Sequence, residues 1–236
     1  MQIKGFNKTT LLDYPGHLAS TIFLGTCDFR CPFCHNASLV ISPQMQPCIP
    51  TDEILSTLQK RKNILEGVCI SGGEPTLQNE LPHFIEQIKS LGLKVKLDTN
   101  GNNPSMIQEL LNLNYIDYIA MDIKNSKDNY LKTIGRTSSS DCFNILDNIE
   151  NSIDLIQSSE IDYEFRTTVV KELHSERDFI EIGKWIRGAR RYFLQSYIDS
   201  GNTIQSGFSP YTKSELVHFK TLLEPYVNNV EIRGID

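Results

Sequence analysis

The sequence predicts an α/β fold, an open and partial βα barrel of about six parallel strands. Three observations carry that prediction. Short β-type runs alternate with longer helical ones, the arrangement of a mostly parallel sheet covered by helices. About six such units are visible, short of the eight that close a βα barrel. Polar, glycine-rich or cysteine-rich segments follow the strands one after another, and in parallel α/β folds these loops carry the chemistry.

Taken in order, STIFLG (20–25) reads as a buried strand that leads into a cysteine loop. TDEILSTLQKRKN (51–63) reads as a helix, with Thr51 or Asp52 as N-cap and apolar residues at Ile54, Leu55 and Leu58. GVCIS (67–71), a short apolar run bounded by glycine, is a second strand. LQNELPHFIEQIKSLG (77–92) has helical spacing at Leu81, Phe84, Ile85 and Ile88, and Gly92 suits a C-terminal cap. Strands follow at LKVKLD (93–98), DYIAMD (117–122), DYEFRTTVV (162–170) and RRYFLQSY (190–197), with helices at 104–114, 142–157 and 175–187 between them. A helix at 213–227 precedes VEIRG (230–234), a candidate last strand. No repeat, low-complexity tract or linker marks a boundary. The chain is expected to form one domain over 1–236, with a core over about 18–200 and a capping segment over 201–236.

With 236 residues, 39% hydrophobic and 22% charged, the composition is that of an ordinary globular chain able to bury a full core. A net charge of −6 argues against a dedicated nucleic-acid or anionic-membrane surface. The opening MQIKGFNKTTLLDYPG lacks the apolar stretch of a signal peptide. No run approaches the ~18 apolar residues that span a bilayer. The expected address is the cytoplasm, with no nucleic-acid or membrane partner.

That address bears on the six cysteines. In a reducing compartment a disulfide framework is disfavoured, and clustered thiols bind metal or do redox chemistry. Cys48, Cys69 and Cys142 are scattered, whereas Cys27, Cys31 and Cys34 fall together in CDFRCPFCHN. Cys69 lies in an apolar run and reads as packing. Three thiolates on a short loop can approach three corners of a cubane cluster. Zinc is the competing reading, but it asks for four ligands in closed geometry. His35 directly follows Cys34 and would strain to reach the same ion; Cys48 is the other candidate. Ferredoxin loops use a different spacing and supply four thiolates. Three thiolates without an evident fourth leave one iron open to a substrate or cofactor.

The other strand ends carry groups suited to binding one. Ser71-Gly72-Gly73-Glu74-Pro75 closes the second strand, and paired glycines let backbone come close to a ligand. Asp98-Thr99-Asn100-Gly101 reads as a turn, Asn-Gly being a favoured pair, that presents Asp98. Met121-Asp122-Ile123-Lys124 sets a carboxylate and an ammonium at the next strand end. Arg166, inside FRTTVV, either points into the barrel or forms a buried salt bridge.

The CxxxCxxC spacing, with Phe33 before the last cysteine, resembles the cluster motif of the radical S-adenosylmethionine (radical SAM) superfamily. SGGEP resembles the segment that contacts the methionine amino group in that family. The resemblance implies a [4Fe–4S] cluster on Cys27, Cys31 and Cys34, with S-adenosyl-L-methionine on the open iron beside Gly72, Gly73 and Glu74. It also implies reductive cleavage of the sulfonium bond to a 5′-deoxyadenosyl radical that takes hydrogen from a substrate, in a site the protein shields from water. DTNG and DIK resemble the segments of glycyl-radical-enzyme activases. That likeness implies Asp98, Thr99 and Asp122 as candidate ligands of a monovalent cation and Lys124 as a cofactor contact; Arg166, if it points into the barrel, is a further candidate contact by its place on the strand. The sixth strand lacks the histidine that the activase of pyruvate formate-lyase has there, which leaves Gln195 or Tyr197 to take its place.

KTTLLDYPG ahead of the first strand, followed by CDFRCPFCHN, resembles the activating proteins of anaerobic ribonucleoside-triphosphate reductase. The likeness runs on through SGGEP, DTNG, DIK and YFLQ. It implies removal of hydrogen from one glycine of the glycyl-radical subunit of anaerobic ribonucleotide reductase, with flavodoxin or ferredoxin as electron donor. The alternatives are an activase of another glycyl-radical enzyme such as a formate lyase, a radical SAM enzyme acting on a small molecule, like the short ones that make deazapurine precursors, and a non-catalytic cluster module. The last leaves GGE, DTNG and DIK without a purpose. Residues 201–236 either cap the barrel or add to the partner surface.

Overall fold

The computed structural model describes residues 1–136 and 144–235. Eight strands form one sheet in chain order: β1 (Ile3–Thr10), β2 (Ala19–Leu24), β3 (Gly67–Gly72), β4 (Lys94–Thr99), β5 (Tyr118–Asp122), β6 (Asp162–Val169), β7 (Tyr192–Ser196) and β8 (Val230–Arg233). From β2 to β8 every neighbour is parallel, while β1 runs antiparallel to β2. Among the described residues no ladder joins β1 to β8, so the barrel stays open there, as the sequence predicts. The candidate strand at the C-terminal end is real and makes the parallel set seven.

The helices are α1 (Ala37–Ile41), α2 (Thr51–Arg61), α3 (Leu81–Ser90), α4 (Pro104–Asn112), α5 (Lys127–Thr133), α6 (Ile145–Ser158), α7 (Glu176–Trp185) and α8 (Lys213–Leu223). Cys142 and the start of the helix expected over 142–157 lie outside the described residues. Three elements were not foreseen. β1 shows only Ile3 and Thr10 buried and has no alternation to betray it. α1 and α5 are too short for a helical period to register. The expected N-cap of α2 is corrected: Pro50 holds that place with extended backbone, and Thr51 already opens the helix without a side-chain cap. Asp52 and Glu53 sit in the first turn instead, where the helix dipole favours them. α3 begins at Leu81, the first residue of its apolar spacing, and not at 77, because Pro75–Leu77 form a separate 3-10 turn. Gly92 ends α3 as expected, with φ +81° and its N–H on the Lys89 carbonyl at 2.9 Å.

Side chains alternate between the two faces of each strand, and the register decides which share a face. Ile70, Leu97, Ile119, Phe165 and Leu194 are fully buried in the large apolar core with helix residues such as Leu58, Phe84 and Ile85. The opposite parity faces into the barrel and is polar, with Ser71, Asp98, Asp122, Arg166 and Gln195 toward the C-terminal ends. Lower down, Tyr14 from the β1–β2 loop packs on Tyr118, with Ala19 and Ala120 beside them. Glu164, 1% exposed, accepts from the Tyr118 hydroxyl at 2.7 Å and from both Arg233 Nη atoms at 2.7 and 2.9 Å. The last strand is thereby tied to the inside of the barrel by a bidentate ion pair. No described helix is long and apolar enough to cross a membrane.

Candidate active site

The C-terminal strand ends surround one cavity of about 440 Å³. The candidate cluster and cofactor residues read from the sequence border it, Tyr197 excepted. Cys27, Cys31 and Cys34 come from the loop after β2, and Gly72, Gly73 and Glu74 from the end of β3. Asp98 and Thr99 end β4, Asp122 and Lys124 end β5, Arg166 lies on β6 and Gln195 on β7. Tyr197, the other candidate for the missing histidine, is buried against His35 and Phe208 instead.

The cysteine loop is pinned from several sides. Arg30 N–H donates to the Ile134 carbonyl at 2.9 Å, just past α5, and Gln205 N–H reaches the Pro32 carbonyl at 2.8 Å. Arg136 Nη2 donates to the Asp28 carbonyl at 2.5 Å. Burial raises the Cys27 thiol, helped by the Glu74 and Asp28 carboxylates. Burial likewise pushes Cys31 up to about 12 and raises Cys34. Three thiols that resist ionisation, Cys31 buried and Cys27 and Cys34 partly so, make poor free nucleophiles, but a metal that supplies positive charge deprotonates them outright. Among the described residues no group of three or more Cys, His, Asp and Glu is placed to hold a single ion. Cys48 is exposed and outside the cavity wall. Separate thiols spaced around one cavity suit a cluster, which offers a different iron to each.

The glycine pair behaves differently from its sequence reading, in which it frees backbone for a ligand. A Cβ on Gly73 would lie 1.8 Å from the Thr26 carbonyl oxygen, and one on Gly72 (φ +119°) 2.3 Å from Leu24 backbone. Gly73 N–H donates to the Leu24 carbonyl and Glu74 N–H to the Thr26 carbonyl, both at 2.8 Å. The pair therefore clamps β3 against the start of the cysteine loop while also lining the cavity.

Glu74 is 1% exposed and turned into the wall. Its Oε1 accepts from Thr76 N–H at 3.1 Å, Thr76 Oγ1 at 2.6 Å and Thr99 Oγ1 at 2.7 Å. Its Oε2 accepts from Asn100 N–H at 2.6 Å. Burial outweighs these donors and lifts the carboxyl to about 7. Glu74 and Thr99 thus join the second and third strand-end loops to each other.

Arg166 settles its two readings by satisfying both. It borders the cavity, its Nε donates to Asp122 Oδ1 at 2.6 Å, and its Nη2 lies 3.2 Å from Asp98 Oδ2. Lys124 Nζ holds Asp122 Oδ2 at 2.8 Å, buried Lys96 pairs with Asp98 Oδ1, and Ser71 Oγ donates to Asp98 Oδ2 at 3.0 Å. Burial alone would raise both carboxyls, but Arg166 with Lys96 holds Asp98 below the usual range, and Arg166 with Lys124 does so for Asp122. All four oxygens of Asp98 and Asp122 face protein donors, so as they stand these residues do not form a monovalent cation site. Three fixed cations against two carboxylates leave one positive charge in excess, suited to a ligand carboxylate.

Sequence reasoning passed over Asp13, Asn36, Asn100 and Thr168, which also border the cavity. Asn36 Nδ2 donates to the Gly72 carbonyl at 2.9 Å. Asp13 accepts from the Thr21 hydroxyl. All four stood inside quoted segments (LLDYPG, CHN, DTNG and FRTTVV), and the signal was their polarity among strand-end residues.

Residues 21–186 match the radical SAM superfamily. A Methanocaldococcus jannaschii protein provisionally named a glycyl-radical enzyme activating enzyme is 30% identical over 238 residues, covering 99% of this chain and 96% of its own length. A 7-carboxy-7-deazaguanine synthase of Hyperthermus butylicus is 33% identical over 93 residues, 39% of this chain and 38% of that one. Among solved structures, Streptococcus suis SuiB bound to S-adenosylmethionine shares the fold with a TM-score of 0.68 at 17% identity. That match covers 89% of this chain but only 48% of SuiB, so the chain spans about half of that protein. The match of the superfamily across most of the sheet, with the cysteine loop inside it, establishes that this chain belongs to the radical SAM superfamily, whose cofactors are a [4Fe–4S] cluster and S-adenosylmethionine.

Proposed function

We propose that this protein is an activase that generates a glycyl radical on a partner enzyme, and that the partner is the anaerobic ribonucleoside-triphosphate reductase. The observation that carries the reading is the likeness to the Methanocaldococcus jannaschii protein over 99% of this chain and 96% of that one. The likeness to the deazaguanine synthase stops at 39% of the chain. The opening KTTLLDYPG and the CDFRCPFCHN loop support the choice of reductase among possible partners.

In this reading Cys27, Cys31 and Cys34 hold the cluster. Lys124 and Arg166 face the cofactor carboxylate, the Gly72–Gly73 backbone borders its methionine end, and Gln195 lines the far wall. When bound, the cluster and S-adenosylmethionine supply the one-electron chemistry that removes hydrogen from the partner glycine. The unpaired edge between β1 and β8 suits a substrate that is a protein loop. The chain acts as a single cytoplasmic domain, reduced by flavodoxin or ferredoxin.

The test starts with anaerobic reconstitution with iron and sulfide, reduction, and an assay for 5′-deoxyadenosine from S-adenosylmethionine. Wild type forms it and Cys31→Ala does not. Adding the reductase then yields a glycyl radical signal in the electron paramagnetic resonance spectrum. A loaded, reducible protein that never cleaves S-adenosylmethionine refutes the activase reading, and cleavage without a glycyl signal on the reductase refutes the partner.

A further inference from the structure

Asn100, in the turn just after β4, is 5% exposed and touches three parts of the site. Its backbone N–H is held by Glu74. Its side-chain Oδ1 accepts from Asn102 N–H at 2.9 Å, which fixes the amide so that Nδ2 points at the cysteine loop. There Nδ2 lies 2.8 Å from Asp28 Oδ1 and 3.8 Å from Cys27 Sγ. Asn102 Nδ2 takes the other Asp28 oxygen at 2.5 Å, and Phe29 N–H reaches Cys27 Sγ at 3.4 Å. Cys27 therefore faces two N–H groups, one from its own loop and one from the turn after β4.

We infer that Asn100 is a positioning residue that raises the reduction potential of a cluster held by Cys27, through its amide N–H on the sulfur and its hold on the adjacent Asp28 carboxylate. The inference rests on the proposed role of Cys27 as a cluster ligand. An electron entering the cluster from its reductant adds negative charge at the thiolates, and an N–H aimed at sulfur stabilises that form more than the oxidised one. Hydrogen bonds to the sulfurs and exclusion of solvent are among the factors that set such potentials. Asn100 itself is buried, which limits the competition of water for this long N–H···S contact. Among the described residues, Asn100 is the one side chain of the β4 turn that touches both Cys27 and Asp28.

The experiment compares reconstituted wild type, Asn100→Ser, Asn100→Asp and Asn102→Ala in redox titrations followed by electron paramagnetic resonance, with iron and sulfide content measured. At the wild-type midpoint the ratio of reduced to oxidised cluster falls at least threefold in Asn100→Ser. In Asn100→Asp it falls at least tenfold, which is 59 mV for one electron. Asn102→Ala, which leaves the amide on Cys27, stays within twofold. The spectrum counts only loaded molecules, so poor loading of a variant does not mask the shift. Ratios within twofold of wild type for both Asn100 variants overturn the inference. So does a shift in Asn102→Ala as large as that in Asn100→Ser, which would assign the effect to Asp28 alone. A wild-type protein that takes up no reducible four-iron cluster overturns the ligand assignment, and this inference with it.

Discussion

Replacing Arg166 by methionine removes the one cation shared by Asp98 and Asp122. The three side chains are 15%, 13% and 21% exposed, so the carboxylates lose their partner in a poorly solvated place. Breaking a buried ion pair costs about 3–5 kcal/mol. Here Asp98 keeps Lys96 and Ser71, and Asp122 keeps Lys124, which puts the cost near the lower end, about 3 kcal/mol. For a chain of this size that is a fall in melting temperature of roughly 6–12 °C, since each kcal/mol moves it by about 2–4 °C. The assay is urea and thermal unfolding of the cluster-free protein under argon. Because both carboxyls are held below their ordinary range in the fold, the stability they contribute is complete at pH 7 and is lost as pH falls below about 4. The gap between wild type and Arg166→Met is therefore full at pH 7 and narrows below about 4, as the stranded carboxyls take up protons. A single variant within about 0.5 kcal/mol of wild type at pH 7, or a gap that ignores pH, refutes the network as described.

Glu74 gives a pH effect of opposite sign. Its carboxyl is lifted from 4.5 to about 7, so its contribution is complete below about 4.5 and is lost as pH rises to 7, roughly 3 kcal/mol in all. Urea midpoints of Glu74→Gln therefore fall less steeply between pH 5 and 8 than those of wild type; parallel curves contradict the burial of this group. Gly73→Ala forces a Cβ to within 1.8 Å of the Thr26 carbonyl, and backbone on both sides leaves little room to give. We expect a loss of about 3 kcal/mol, the upper end of the usual overpacking cost, and reduced iron uptake, and a variant that melts and loads like wild type rules out the clamp. Arg233→Met strands the buried Glu164 carboxylate, which costs about 1–3 kcal/mol. Amide exchange across Val230–Arg233 should accelerate at least about tenfold while the β3 and β4 amides stay protected, and equal acceleration everywhere would show that β8 is no separate latch.

How much was legible in the sequence follows from how far apart the interacting residues lie along it. The cysteine loop, SGGEP, DTNG and DIK could be read because each is a short run, and because strand–helix alternation sends every strand end to one rim. Polar residues at those ends were bound to meet, and they do, around one cavity. The β1 strand had no such signal, since an edge strand with little burial shows no periodicity. Nor could the sequence say that Gly73 lacks a side chain for the sake of Thr26, or that Glu74 turns away to bind Thr76, Thr99 and Asn100. Arg166 reaches Asp122 across 44 residues of chain, and both depend on the register of β5 against β6 to face the same way. Local spacing determined which groups stand at the site. Only the tertiary structure decided which of them pair with one another, because hydrogen bonds and ion pairs between strands are set by register and burial, and neither is written in the order of neighbouring residues.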